Sequence, residues 1–161
     1  MPVEMKIKGL MIDPVSNMPI IILKNPDGDT VLPIWVGIFE ANAIAMQLES
    51  VVAPRPMTHD LLKNVIEGLH AEVSDVVITD LRDNTFFAVI HLTLKGERFS
   101  IDARPSDAMA LALRTSSPIH VEKQVLDKSE SGGGEGDSDH AERLRRWLET
   151  VDPEELGQYE M

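Results

Sequence analysis

The segment IDARPSDAMALALR, residues 101–114, constrains the fold more than any other part of the chain. Its first half alternates as a strand does, and its second half is almost wholly apolar at helical length. A helix of that composition is built for burial, so the chain must supply a core around it. Between the two halves stand Asp102, Arg104, Ser106 and Asp107. Polar groups at the mouth of such a helix are either caps and ion pairs that hold the joint, or a site.

The material for that core comes first as short strand-like runs at 5–12, 19–24 and 30–36, the third preceded by the turn sequence NPDGD. Ala41, Ile44, Ala45 and Leu48 share a helical face within 40–51. Leu61, Leu62, Val65, Ile66 and Leu69 make an apolar stripe in a second helix over 58–69, with Thr58 as its N-cap. Strands follow at 73–81, 85–94 and 98–103, with Lys95-Gly96 as a tight connection, then the helix 107–114 and a short strand at 118–121. A shift of 67 carries Asp13, Asn17, Ile34, Ala41, Ala43, Ala45 and Ser50 onto Asp80, Asn84, Ile101, Ala108, Ala110, Ala112 and Ser117 without a gap, and Glu40 onto Asp107. The expected fold is α+β: a curved mixed β-sheet built from two duplicated β-β-β-α units, with the 58–69 helix inserted between them and the helices packed on one side.

Composition divides the chain into three. Residues 1–128 form the expected domain, with 12 Lys and Arg against 17 Asp and Glu, a balance of −5. Residues 129–140 read as a flexible acidic Gly/Ser linker, and 141–161 as an amphipathic helical tail with Leu144, Trp147, Leu148 and Val151 at helical spacing. Residues 129–161 carry 3 basic against 10 acidic groups, a balance of −7. No basic stripe is present to track a phosphate backbone, which disfavours tight non-specific nucleic-acid binding. There is no cysteine, so disulfides and thiol chemistry are excluded. No apolar run is long enough to span a bilayer and the first residues lack a cleavable signal, so no membrane association is expected and cytoplasm is the expected location. PIIIL and TFFAVI lack charges, and strand edges of that kind must be covered; a homo-oligomer, most simply a dimer, is expected.

Two clusters carry candidate chemistry. In a strand Asp102 and Arg104 point to one face; Pro105 then ends the strand, Ser106 can cap, and Asp107 falls in the first helical turn. The second cluster, APRPMTHDLL, offers Arg55, Thr58, His59 and Asp60 at a proline-stiffened helix start. Histidine among carboxylates suits general acid–base work or a hard metal ion. Walker, GxGxxG, HExxH and GxSxG motifs are all absent. Aromatics, at 4%, are too few for a base-stacking platform.

Four blocks in order, LPIWVGIFEANAIAMQLE, RPMTHDLLKNVIEGL, VVITDLRDNTFFAVIHL and IDARPSDAMALALR, resemble the bifunctional nuclease domain over about residues 5–125. That family takes its name from nuclease activity of plant members on both DNA and RNA, and the resemblance implies phosphodiester hydrolysis with those substrates. No catalytic mechanism comes with the resemblance, so roles follow from chemistry. Glu40, Asp102 and Asp107 are the expected ligands of water or of Mg²⁺ or Mn²⁺. His59, beside Asp60, is the expected general base or acid, and Arg55 and Arg104, with Thr58 and Ser106, the expected phosphate contacts. The competing expectation is a non-catalytic regulatory module in which the same polar pocket holds an anion or a partner carboxylate.

Overall fold

The computed structural model describes residues 2–130. Eleven elements follow in chain order: β1 (Val3–Ile12), β2 (Pro19–Lys24), β3 (Val31–Trp35), α1 (Ile38–Leu48), α2 (Thr58–Gly68), β4 (Glu72–Arg82), β5 (Thr85–Leu94), β6 (Glu97–Ala103), α3 (Pro105–Thr115), β7 (Ile119–Val121) and α4 (Lys123–Glu130). The fold is α+β. One seven-stranded sheet has the order β3-β2-β1-β7-β4-β5-β6. It is mixed because β7 runs antiparallel to β1 and parallel to β4, while the remaining pairs are antiparallel.

Local chemistry explains the connections. Asp83-Asn84 and Lys95-Gly96 both take positive φ at each residue, the left-handed pair that a two-residue hairpin needs to match strand twist. β4 and β5 close on the first (Arg82 opposite Thr85), β5 and β6 on the second (Leu94 opposite Glu97). Pro105 opens α3 where its missing N–H costs nothing, and Ser116 ends it in the left-handed conformation.

Helix α3 is the centre of the core. Ala108, Met109, Ala110, Leu111 and Ala112 are all fully buried, because α1 and α2 cover α3 on the side away from β4 and β5. Small residues on the facing helix, Ala41, Ala43 and Ala45 of α1, leave room for close approach. The two three-stranded meanders lie on either side of β7, and the helices that follow them, α1 and α3, each have eleven residues and start 67 residues apart. A common origin of the two halves is a proposal from that spacing. Among the described residues no helix is long and apolar enough to cross a membrane.

Several details differ from expectation. The stripe of α2 is not its buried face: Ile66 is buried with His59, but Leu61, Leu62, Val65 and Leu69 are exposed. Thr58 is the first helical residue and Met57 the N-cap, since Asp60 Oδ2 accepts from the Met57 N–H at 2.9 Å. Ser106 is buried in the first turn of α3 instead of capping it; the N-cap is Arg104. Helix α4, whose Val125 and Leu126 join the core, had no strong signal and runs two residues past the predicted start of the linker. The tail, 141–161, lies outside the described residues. PIIIL and TFFAVI belong to β2 and β5, both interior strands, so the sheet itself covers their edges and the reason given for an oligomer lapses.

Candidate functional site

Three helices place an acid at the third position of their first turn: Glu40 in α1, Asp60 in α2 and Asp107 in α3. Each carboxylate faces the positive end of its own helix dipole. Since α3 packs against both α1 and α2, the acids are brought within reach of shared cations.

Asp107 is the hub. Its Oδ1 lies 2.9 Å from His59 Nε2, and its Oδ2 accepts from Arg104 Nε at 2.8 Å. Arg104 Nη2 donates in turn to Glu40 Oε1 at 2.8 Å. The result is a chain, His59–Asp107–Arg104–Glu40, that ties all three helix starts together. Burial pushes the Asp107 carboxyl up, but the hydrogen bonds from Arg104 and His59 outweigh it and hold the group below its usual range. Asp107 first and Glu40 second raise the Arg104 guanidinium above its ordinary value. Gly37, the N-cap of α1, leaves space for this arrangement, since a Cβ there would run into the Glu40 carboxylate.

Asp60 belongs to a different group. Its Oδ1 accepts from Arg114 Nε at 2.7 Å, and Arg114 also donates to the carbonyls of Ala110 (2.9 Å) and Ala43 (3.0 Å). The Met57 N–H first and Arg114 second hold Asp60 below the usual carboxylate range. Arg114 thus clasps α1, α2 and α3 with a side chain that is only 4% exposed. Beside it a cleft of about 270 Å³ is lined by Met46, Val51, Pro54, Arg55, Asp60 and Arg114, among others. Arg55 therefore stands at this cleft, which the His59–Asp107 array does not line.

Of the predicted residues, His59, Asp107, Arg104 and Glu40 meet; Arg55 and Asp60 face the neighbouring cleft. Thr58 is exposed in the first turn of α2. Asp102 stands apart. Ile101 lies opposite the core residue Ile90, so alternation turns Asp102, opposite Val89, to the face away from the helices. Its carboxylate has no hydrogen bond or ion pair among the described residues. Arg104 escapes that alternation because the strand has already ended at Ala103, which is why the shared face expected for Asp102 and Arg104 does not form. The three expected carboxylate ligands are accordingly not gathered, and no group of three or more His, Cys, Asp or Glu among the described residues is placed to hold a metal ion. Sequence reasoning missed Arg114; its only signal is a cation at the end of an apolar helix, seven residues after Asp107 on the same face.

An imidazole held by a carboxylate, next to a guanidinium and a second carboxylate, defines an α+β domain that gathers titratable and cationic side chains where three helices start. The bifunctional nuclease domain matches residues 21–132, and the chain belongs to that family. An uncharacterized protein of Mycobacterium tuberculosis is 34% identical over 162 residues, 95% of this chain and 97% of that protein. Bifunctional nuclease 2 of Arabidopsis thaliana is 32% identical over 109 residues, covering 65% of this chain, and bifunctional nuclease 1 of japonica rice is 31% identical over the same length. The match spans 33% of each of those plant proteins.

Proposed function

We propose that this chain is a nuclease-like protein that carries out metal-assisted hydrolysis of phosphodiester bonds in DNA and RNA at the His59–Asp107–Arg104–Glu40 array. The observation that carries the reading is the His59–Asp107 contact, joined through Arg104 to Glu40, in a member of a family whose plant relatives are named bifunctional nucleases. His59, oriented by Asp107 through Nε2, keeps Nδ1 for proton exchange with water or the leaving group. Arg104 offers its remaining N–H groups to phosphate oxygens, where a planar guanidinium is the better match. Glu40 and Asp107 would hold Mg²⁺ or Mn²⁺, ions that suit carboxylate oxygens and whose chemistry is to activate water and neutralise developing charge. Arg104 now spans those two carboxylates, so it must turn toward the phosphate for both roles to operate. Arg55, at the adjoining cleft, contacts the flanking backbone. Absence of cysteine fits action in the reducing cytoplasm.

A second reading is favoured by the saturation of the array. Arg104 neutralises both carboxylates at 2.8 Å, and residues 1–128 are net acidic, which does not draw in a polyanionic substrate. Both points favour a module without turnover whose exposed guanidinium alone holds a small anion or partner carboxylate. One assay separates the two: hydrolysis of single- and double-stranded DNA and RNA with Mg²⁺, with Mn²⁺ and with chelator, by wild type and Asp107→Asn. Metal-dependent cleavage lost in the variant supports the nuclease. Anion binding with no turnover under any condition supports the second reading, and equal cleavage by both proteins places the activity elsewhere.

A further inference from the structure

We propose that two copies of this chain join edge to edge along β6, antiparallel, about a two-fold axis at Ser100. The proposal is independent of the nuclease reading. It starts from an asymmetry between the two ends of the sheet. At one end β3 carries Pro33 in mid-strand, which removes a donor and blunts that edge. At the other end β6 has no proline, pairs with β5 without a register shift, and exposes every residue from Glu97 to Asp102. Its outer side presents a row of backbone N–H and C=O groups ready to pair.

The side chains identify the occupant. RFSID, residues 98–102, is complementary to itself when reversed about its centre, with Glu97 and Ala103 meeting at the two ends. With Ser100 opposite Ser100, Arg98 of each copy faces Asp102 of the other, and Phe99 faces Ile101. The charge pairs lie on the face away from the helices, and the apolar pairs on the helix side. Moving the axis to Phe99 sets Glu97 against Ile101; moving it to Ile101 brings Arg98 up to Arg104. Of these registers only the one at Ser100 sets Arg98 against Asp102 and Phe99 against Ile101 together, and its one unmatched pair, Glu97 with Ala103, lies at the ends.

Within one chain those groups are poorly provided for. The Asp102 carboxylate has no hydrogen bond or ion pair among the described residues, and Phe99 and Ile101 are 42% and 46% exposed. Arg98 Nη2 lies 2.8 Å from His91 Nδ1, which is itself 2.6 Å from Asp75 Oδ1. One ring nitrogen cannot donate to Asp75 and accept from Arg98 at once. With the Nδ1 proton committed to Asp75, Arg98 faces another donor. Its ion pair within the chain, to Asp75 Oδ1, is long at 3.7 Å, and its side chain is 63% exposed, so an outward turn toward a closer carboxylate costs little.

Light scattering and sedimentation of the full chain over a concentration series test this. The expected result is a dimer. Asp102→Arg and Arg98→Asp each place two like-charge pairs in the interface and weaken it about tenfold or more, while the double exchange restores it to within a few-fold of wild type. All these positions are exposed, and circular dichroism checks that each variant is folded. Since the chain has no cysteine, Ser100→Cys gives a dimer linked by one disulfide on oxidation, whereas Asp102→Cys, with its two copies about 14 Å apart, does not. A full-length monomer at all concentrations overturns the proposal, including a monomer that instead takes up a foreign strand. So does a dimer that neither charge reversal weakens.

Discussion

His59 and Asp107 are 48 residues apart in sequence, yet His59 Nε2 sits 2.9 Å from Asp107 Oδ1 where α2 crosses the start of α3. The contact fixes one ring nitrogen of a nearly buried histidine and joins α2 to the β6–α3 joint. It holds the helices in place, and in the nuclease reading it also orients an acid–base group.

Asp107→Asn separates those ends. The amide keeps the shape and can still meet both partners, but it removes the charge that Arg104 and His59 share. In the nuclease reading, cleavage falls by about a hundredfold or more, while stability falls by only about 1–2 kcal/mol. Single-turnover cleavage and urea denaturation on the same preparation check this. A variant that unfolds without a selective loss of cleavage would mark the contact as architecture alone.

Arg114 carries the opposite expectation. Arg114→Met keeps the apolar stem but leaves Asp60 without its cation and the carbonyls of Ala43 and Ala110 without donors. Because Asp60 is 36% exposed, water relieves part of the loss, and about 2–3 kcal/mol is expected. Arg114→Lys restores the charge without the planar fork and should recover only part of it. Denaturant midpoints for the three proteins rank them; a lysine variant equal to wild type would mean that charge, and not the fork, holds the clasp.

The acid range gives a signed test. Asp60 and Asp107 are both held below their unfolded values, so the ionised forms stabilise the fold. That stability is fully present above the unfolded carboxylate range, near pH 4, and is lost as pH falls through the lower folded values. Melting temperature should therefore drop from about pH 5 downward. In Asp60→Asn the drop is shallower and stability at pH 7 is lower, since the interaction is absent at every pH. Melts of wild type and variant at matched ionic strength measure both; parallel curves would remove Asp60 from the account.

Most of the fold was legible because its signals are local. β2 and β5 fall on the runs read from sequence, and the Lys95-Gly96 hairpin needed only its dipeptide. Helix α3 was recognisable because a segment as apolar as AMALAL fits nowhere but a core. What failed was non-local. The stripe of α2 has correct helical spacing, but spacing does not say which neighbour covers it, and α3 covers the His59–Ile66 side instead. Asp102 and Arg104 share parity only while the strand continues, and the chain turns at Ala103. Arg114 was silent because its partners, Asp60 and the Ala43 carbonyl, are 54 and 71 residues away.

Gly37 supplies the last test, because it acts on Glu40 without touching it chemically. Its φ of −70° suits any residue, so Gly37→Ala strains no backbone, but the new Cβ meets the Glu40 carboxylate. That carboxylate is the far end of a flexible side chain and moves aside more easily than the helix. Stability should change by less than about 1 kcal/mol, while the Glu40 carboxylate is displaced from the place it now occupies. In the nuclease reading, Gly37→Ala then loses cleavage to nearly the extent of Glu40→Gln, with a melting temperature close to wild type. Full activity in Gly37→Ala beside a crippled Glu40→Gln would show that the Glu40 carboxylate works without the position that Gly37 leaves open for it.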